Sequence, residues 1–181
     1  MRSAVTSKTL LGLMKFAMMA VLTVSVLALL DRFISSAGPG FARKFATVED
    51  ARRSIGASEL LVPSYFPEGI SWPPSLIVAQ QRPFRAAVME FANPESKQTM
   101  LVIEQSDFEA TDNGLVRIAL ENIVERTTYS LKGTSAVLQV GSCGGHAPCS
   151  RIMWRQDGTN HTVLLLSSPF ELIKIADSMV H

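Results

Sequence analysis

Ala86-Ala87-Val88-Met89-Glu90-Phe91-Ala92, then Asn93-Pro94-Glu95-Ser96, then Thr99-Met100-Leu101-Val102-Ile103-Glu104-Gln105 are two β-rich runs joined by a loop of hairpin length. Asn and Pro favour the turn, and apolar and β-branched residues fill the flanks. Strands joined this closely pair antiparallel, because a parallel pair needs a crossover of about a dozen residues or more. The pattern continues outward. Leu76 to Gln80 precedes it; Val124 to Leu131, Ala136 to Val140, Arg151 to Arg155 and His161 to Leu166 follow. Lys132-Gly133-Thr134 and Gln156-Asp157-Gly158-Thr159 read as turns between strands, and Asp112-Asn113-Gly114 as a further turn. Leu115 to Asn122 fits either a strand or a short helix. The expectation is one antiparallel sheet and no βαβ units.

Helices are signalled on both sides of the strands. Thr47 can cap a helix with Glu49 and Asp50 in its first turn, Val48, Ala51 and Ile55 on one face, and Gly56 at the stop. Leu60-Leu61-Val62-Pro63 and Tyr65-Phe66-Pro67-Glu68-Gly69 then form a proline-stiffened apolar turn leading to Trp72-Pro73-Pro74. At the far end, Ser168, Pro169 and Glu171 read as N-cap, first helical residue and capping box. Phe170, Ile173, Ala176 and Val180 form an apolar stripe widened by Leu172 and Met179, with Lys174 and Asp177 pointing away. A helix of about twelve residues is not stable alone, so it should lie on the sheet. The fold class expected is α+β: an N-terminal transmembrane helix, then one antiparallel β-sheet packed by an N-terminal and a C-terminal helix.

The membrane expectation comes from Leu10 to Leu30, an apolar run broken by Lys15 and followed by Asp31-Arg32. At about 1.5 Å per residue, roughly twenty helical residues cross a hydrocarbon core of about 30 Å. A signal anchor and a cleaved signal peptide both fit. The charged and bulky Asp31-Arg32-Phe33-Ile34 before Ser35-Ser36-Ala37 favours the anchor. Residues 1–9 then form a short cytoplasmic tail, 10–34 the span, 35–46 a linker and 47–181 one extracytoplasmic domain. Basic residues flank the run on both sides, so charge gives the orientation only a lean toward an external domain. The expected location is the inner membrane, single-pass, with the domain in the periplasm. A formal net charge of +1 leaves no basic field for nucleic acid.

Three stretches together resemble the bacterial family catalogued as domain of unknown function 4367. They are Val48-Glu49-Asp50-Ala51 running into Leu61 to Gly69, then Met153-Trp154-Arg155-Gln156-Asp157-Gly158, then Glu171 to Met179. The resemblance spans Thr47 to Val180. It implies an extracytoplasmic, membrane-anchored domain with no established catalytic residues. Some such domains follow a cytoplasmic zinc-binding anti-sigma domain; the nine residues before Leu10 hold no Cys or His and do not supply one.

Gly141-Ser142-Cys143-Gly144-Gly145-His146-Ala147-Pro148-Cys149 holds the only two cysteines. A Cys143–Cys149 disulfide in an oxidising compartment is the simplest account, contributing about 2 kcal/mol by chain-entropy reasoning. Free structural thiols, a redox dithiol, a metal site with His146 and a Cys143–His146 nucleophile pair stand as alternatives. The dithiol spacing is wider than Cys-x-x-Cys, and no second ligand cluster exists for zinc. His161 at a strand start reads as surface or edge, His181 is terminal, and Asn160-His161-Thr162 matches a glycosylation sequon. Glu90, Glu104, Glu121 and Glu125 read as solvated strand positions, and Trp72 and Trp154 as possible ligand-lining aromatics against the commoner buried packing. No catalytic residue, metal ligand or cofactor is assigned. The expected role is a membrane-anchored binding or regulatory domain with a possible envelope protein partner. A periplasmic lipid or lipoprotein carrier is the alternative, and a thiol-dependent enzyme a third reading.

Overall fold

The computed structural model describes residues 17–27, 42–108, 115–144 and 147–180. The chain divides into two units, 1–40 and 41–181. In the first, residues 17–27 are helical (α1), and Met18, Met19, Val21, Leu22, Val24, Val26 and Leu27 are all exposed. The hydroxyls of Thr23 and Ser25 donate back to the carbonyls of Met19 and Val21, each at 2.8 Å. Among the described residues no helix is long and apolar enough to cross a membrane. The expected 10–34 span reaches beyond α1 on both sides, into residues outside the described set.

The second unit is α+β. Its eight strands are β1 (Arg43–Lys44), β2 (Leu76–Gln80), β3 (Ala86–Ala92), β4 (Thr99–Ser106), β5 (Leu120–Leu131), β6 (Thr134–Cys143), β7 (Ala147–Gln156) and β8 (Thr159–Leu165). They form one sheet in the order β1-β2-β3-β4-β8-β7-β6-β5, and every neighbouring pair is antiparallel. Two meanders, β1–β4 and β5–β8, therefore meet at a β4–β8 seam. The connection leaving β4 travels to the far edge at β5, and the second meander works back to the centre.

Both domain helices, α2 (Val48–Ile55) and α3 (Pro169–Met179), lie on one face, α2 against β2 and α3 against β7 and β8. Thr47 caps α2 by accepting from the Asp50 N–H at 3.1 Å. Gly56 ends it at φ 65°, in the left-handed region where glycine carries no Cβ penalty. This inner face is filled. Met89, Phe91, Leu101, Ile103, Ile152, Leu165, Leu172 and Ile175 are all under 2% exposed. The proline turn closes the same layer: Leu60, Leu61 and Ile70 are buried, and the Phe66 ring lies 5.2 Å from that of Phe91. Gln105 grips the turn like a strand partner, accepting from Leu61 N–H at 2.9 Å and donating to Leu61 C=O at 2.7 Å.

Several expectations need correction. The Ser168 hydroxyl and Pro169 start α3 as expected, the hydroxyl accepting from Phe170 N–H. Glu171, however, accepts from Tyr65 OH at 2.6 Å and Lys174 Nζ at 2.9 Å, not from the helix start. The Tyr65 bond, then Lys174, hold its carboxyl below the ordinary range. Phe170 is 75% exposed; the inward face is Leu172, Ile175, Ala176 and Met179, because docking against β7 and β8 sets the helix rotation. Leu115 to Asn122 splits into a covering segment and the start of β5. Residues 141–149 belong largely to a β6–β7 hairpin, with Gly141 opposite Cys149 and Cys143 opposite Ala147. Arg43–Lys44, expected in the linker, pairs with β2 at the sheet edge. The Asp112-Asn113-Gly114 turn, His146 and His181 lie outside the described residues.

Candidate functional site

No helix of the described residues 42–180 packs on the outer face of the sheet. Its register builds rows of side chains across the strands. One row runs Arg126–Gln139–Arg151–Leu164–Val102–Glu90, and the next runs Thr128–Val137–Met153–Thr162–Glu104–Val88. One part of this face is apolar and covered, reaching from β3, β4 and β8 to the cysteine ends of β6 and β7. Leu115, Val116, Ile118 and Leu120 pack with Val88, Val102, Leu164 and the two cysteines. The Cys143 and Cys149 sulfurs lie at disulfide distance, 2.10 Å, and both residues are 1% exposed. No free cysteine occurs among the described residues.

Beyond this cluster, along β5 and toward the Ser135 end of β6 and the Arg155 end of β7, no described segment packs over the face. A groove of about 280 Å³ opens there, lined by Glu104, Ser106, Phe108, Ser135, Val137, Met153, Arg155 and Thr162 among others. Phe108 stacks on Phe84 at 4.9 Å and forms one wall. Beside the groove Arg151 lies flat on the sheet, its Nε (3.1 Å) and Nη2 (2.6 Å) both donating to the Gln139 amide oxygen. Burial lowers the Arg151 pKa, the Glu104 carboxylate opposes that, and the Arg126 charge adds to it. Strand alternation alone brings these groups together: odd residues of β6 and β7 and even residues of β4, β5 and β8 share one face.

Glu90 and Glu104, expected to be solvated, are each 6% exposed: β3 and β4 are interior strands of the sheet, and Glu104 lies at the groove wall near Arg151. His161, expected at the surface, is 4% exposed and stacks on Trp154 at 5.0 Å. Burial pushes its imidazole from 6.5 down to about 4, against the opposing pull of the Gln156 backbone and Asp157. Trp154, 4% exposed, packs in the inner core and is also among the residues lining the groove, as is His161. Trp72 is 52% exposed at the opposite end of the inner layer, its ring 6.4 Å from Phe91. The structure does not bring the two tryptophans and the cysteine pair into one site. The residues that do converge, Arg126, Gln139, Arg151 and Glu104, were not distinguished by the sequence, since each is an ordinary polar residue at strand spacing.

Among the described residues no group of three or more His, Cys, Asp or Glu could hold a metal ion. The groove can recognise a partner through hydroxyls, guanidiniums and an apolar floor. Comparison with family models, curated proteins and solved structures finds no match.

Proposed function

We propose that the chain is a membrane-anchored, extracytoplasmic binding module whose recognition surface is the uncovered half of the outer sheet face. The observation that carries this is the contrast within that face. One half is covered by 115–120 and the cysteine pair, while the other presents a groove with Arg151 preset on Gln139. A rigid strand surface holds such groups in place better than a loop does.

Three features support the location. A cysteine pair at disulfide distance suits an oxidising compartment. The apolar side chains of α1 are exposed all round, which suits lipid and not water. Its Thr and Ser hydroxyls turn back on the helix, the arrangement that satisfies polar groups where solvent is absent. The resemblance to domain of unknown function 4367 fits the same reading, since the proline turn, the 153–158 strand end and α3 all bear on one core. The carrier alternative draws no support from the filled inner layer, where an acyl chain would have to lie.

A photo-crosslinking side chain placed at Ser135, on the uncovered half, should capture an envelope protein in intact cells. The same probe at Lys174, exposed on α3, should not. Equal capture from both positions, or recovery of the full chain in the cytosol with free thiols, would overturn the reading.

A further inference from the structure

A second concave surface lies at the opposite edge of the sheet. Arg43, Ser54, Ala79, Gln80, Gln81 and Arg82 line a groove of about 250 Å³. Two arginines, one serine and two glutamines are among its lining residues and no Asp or Glu is, although the Gln80 amide already donates to the Phe84 carbonyl at 3.4 Å. Neither the Arg43 nor the Arg82 guanidinium has a hydrogen bond or ion pair with any described residue. The neighbouring arginines are already engaged: Arg52 and Arg53 pair with Glu49 and Asp50, and Arg85 pairs with Asp107 at 3.0 Å. The last-turn carbonyls of α2 accept from Gly56 and Ala57 N–H. Two guanidiniums without a side-chain partner, lining one groove without acid, match a phosphate oxyanion.

We propose that this groove binds the phosphate of an anionic phospholipid headgroup. The assignment rests on the anchoring reading given above. Arg43 follows Leu30 by thirteen positions, so the groove is tethered within at most about 45 Å of the apolar run. A tethered domain meets headgroup phosphate at high local concentration, which makes a weak site effective. β1 holds Arg43 in place, since it is paired to Ala79 of β2. The short edge strand thereby fixes one of the two cations against the sheet instead of leaving it on a free linker.

The test uses the full chain in vesicles of phosphatidylcholine, with or without phosphatidylglycerol, and reads backbone amide exchange. With the anionic lipid, amides of Arg43, Lys44, Gln81 and Arg82 should exchange about tenfold more slowly, and high salt should reverse the effect. The double variant Arg43→Gln/Arg82→Gln should lose this slowing while β8 amides keep theirs, which shows an intact fold. A chain that floats with both vesicle types but exchanges identically in them overturns the groove assignment alone. Equal slowing by inorganic phosphate in pure phosphatidylcholine assigns the site to free phosphate and overturns the headgroup. A chain that does not float with vesicles overturns the anchor, and the headgroup site with it.

Discussion

The two faces of the sheet are built from the same eight strands and solve burial differently. The inner face is sealed by two helices and a proline-stiffened turn, with Phe91, Leu172 and Ile175 all at 0% exposure. Among the described residues the outer face has 115–120 as cover, packed over a cluster that includes the cysteine pair, and the rest opens into a groove. Stability is concentrated where elements are layered, and recognition where layering stops. This division is open to direct attack.

The largest expected effect is on the inner face. Phe91→Ala removes a ring packed against Phe66 and Trp72 and should cost about 4 kcal/mol in urea denaturation. Met153→Ala on the open half should cost less than about 1 kcal/mol. A similar loss at both positions would erase the distinction.

Next is acid. The His161 imidazole titrates near 4 when folded and near 6.5 when unfolded, so between those values the unfolded chain binds a proton that the folded chain does not. Stability is full above about pH 6.5 and should fall by about 3 kcal/mol as pH drops to 4. His161→Gln should flatten that part of the pH–stability profile. An unchanged slope would place the titration elsewhere.

The cysteine pair comes third. Cys143→Ala/Cys149→Ala should cost about 2 kcal/mol by chain-entropy reasoning and raise amide exchange first at β6, β7 and 115–120. Loosening that begins under α3 instead would contradict the two-face picture. The last is Gly56→Ala, about 1 kcal/mol by thermal denaturation. At φ 65° a Cβ is strained even though nothing lies within 4 Å of it.

What the sequence disclosed and what it hid follow the same division. Local signals placed β2 and β3 at their observed bounds. They also found the Thr47 and Gly56 caps, the Ser168-Pro169 start of α3, and the turns at Lys132-Gly133 and Asp157-Gly158, where both residues of each pair have positive φ. The hidden parts depend on distant pairing. Nothing near Glu104 or His161 announces that β8 joins β4, yet that seam buries both residues. The Gly-rich stretch around the cysteines read as a loop because its hairpin is paid for by partners in β5 and β8 that are remote in sequence. Phe170 was placed inward because composition reports how apolar a helix is, and only docking reports which way it faces. The Arg126–Gln139–Arg151 row could not be found from spacing, since it needs the register of three strands at once.

Gly141 bears on how this chain tolerates company. A Cβ there would lie 2.6 Å from the Glu121 carbonyl oxygen, so the absence of a side chain is what lets the outermost strand arch over β6 between Glu121 and Glu125. The arch breaks the ladder of an otherwise long exposed border and sets Ile123 and Val124 out of line. A neighbouring copy meets no continuous template on that side, and crowded molecules are kept from zipping into a shared, growing sheet.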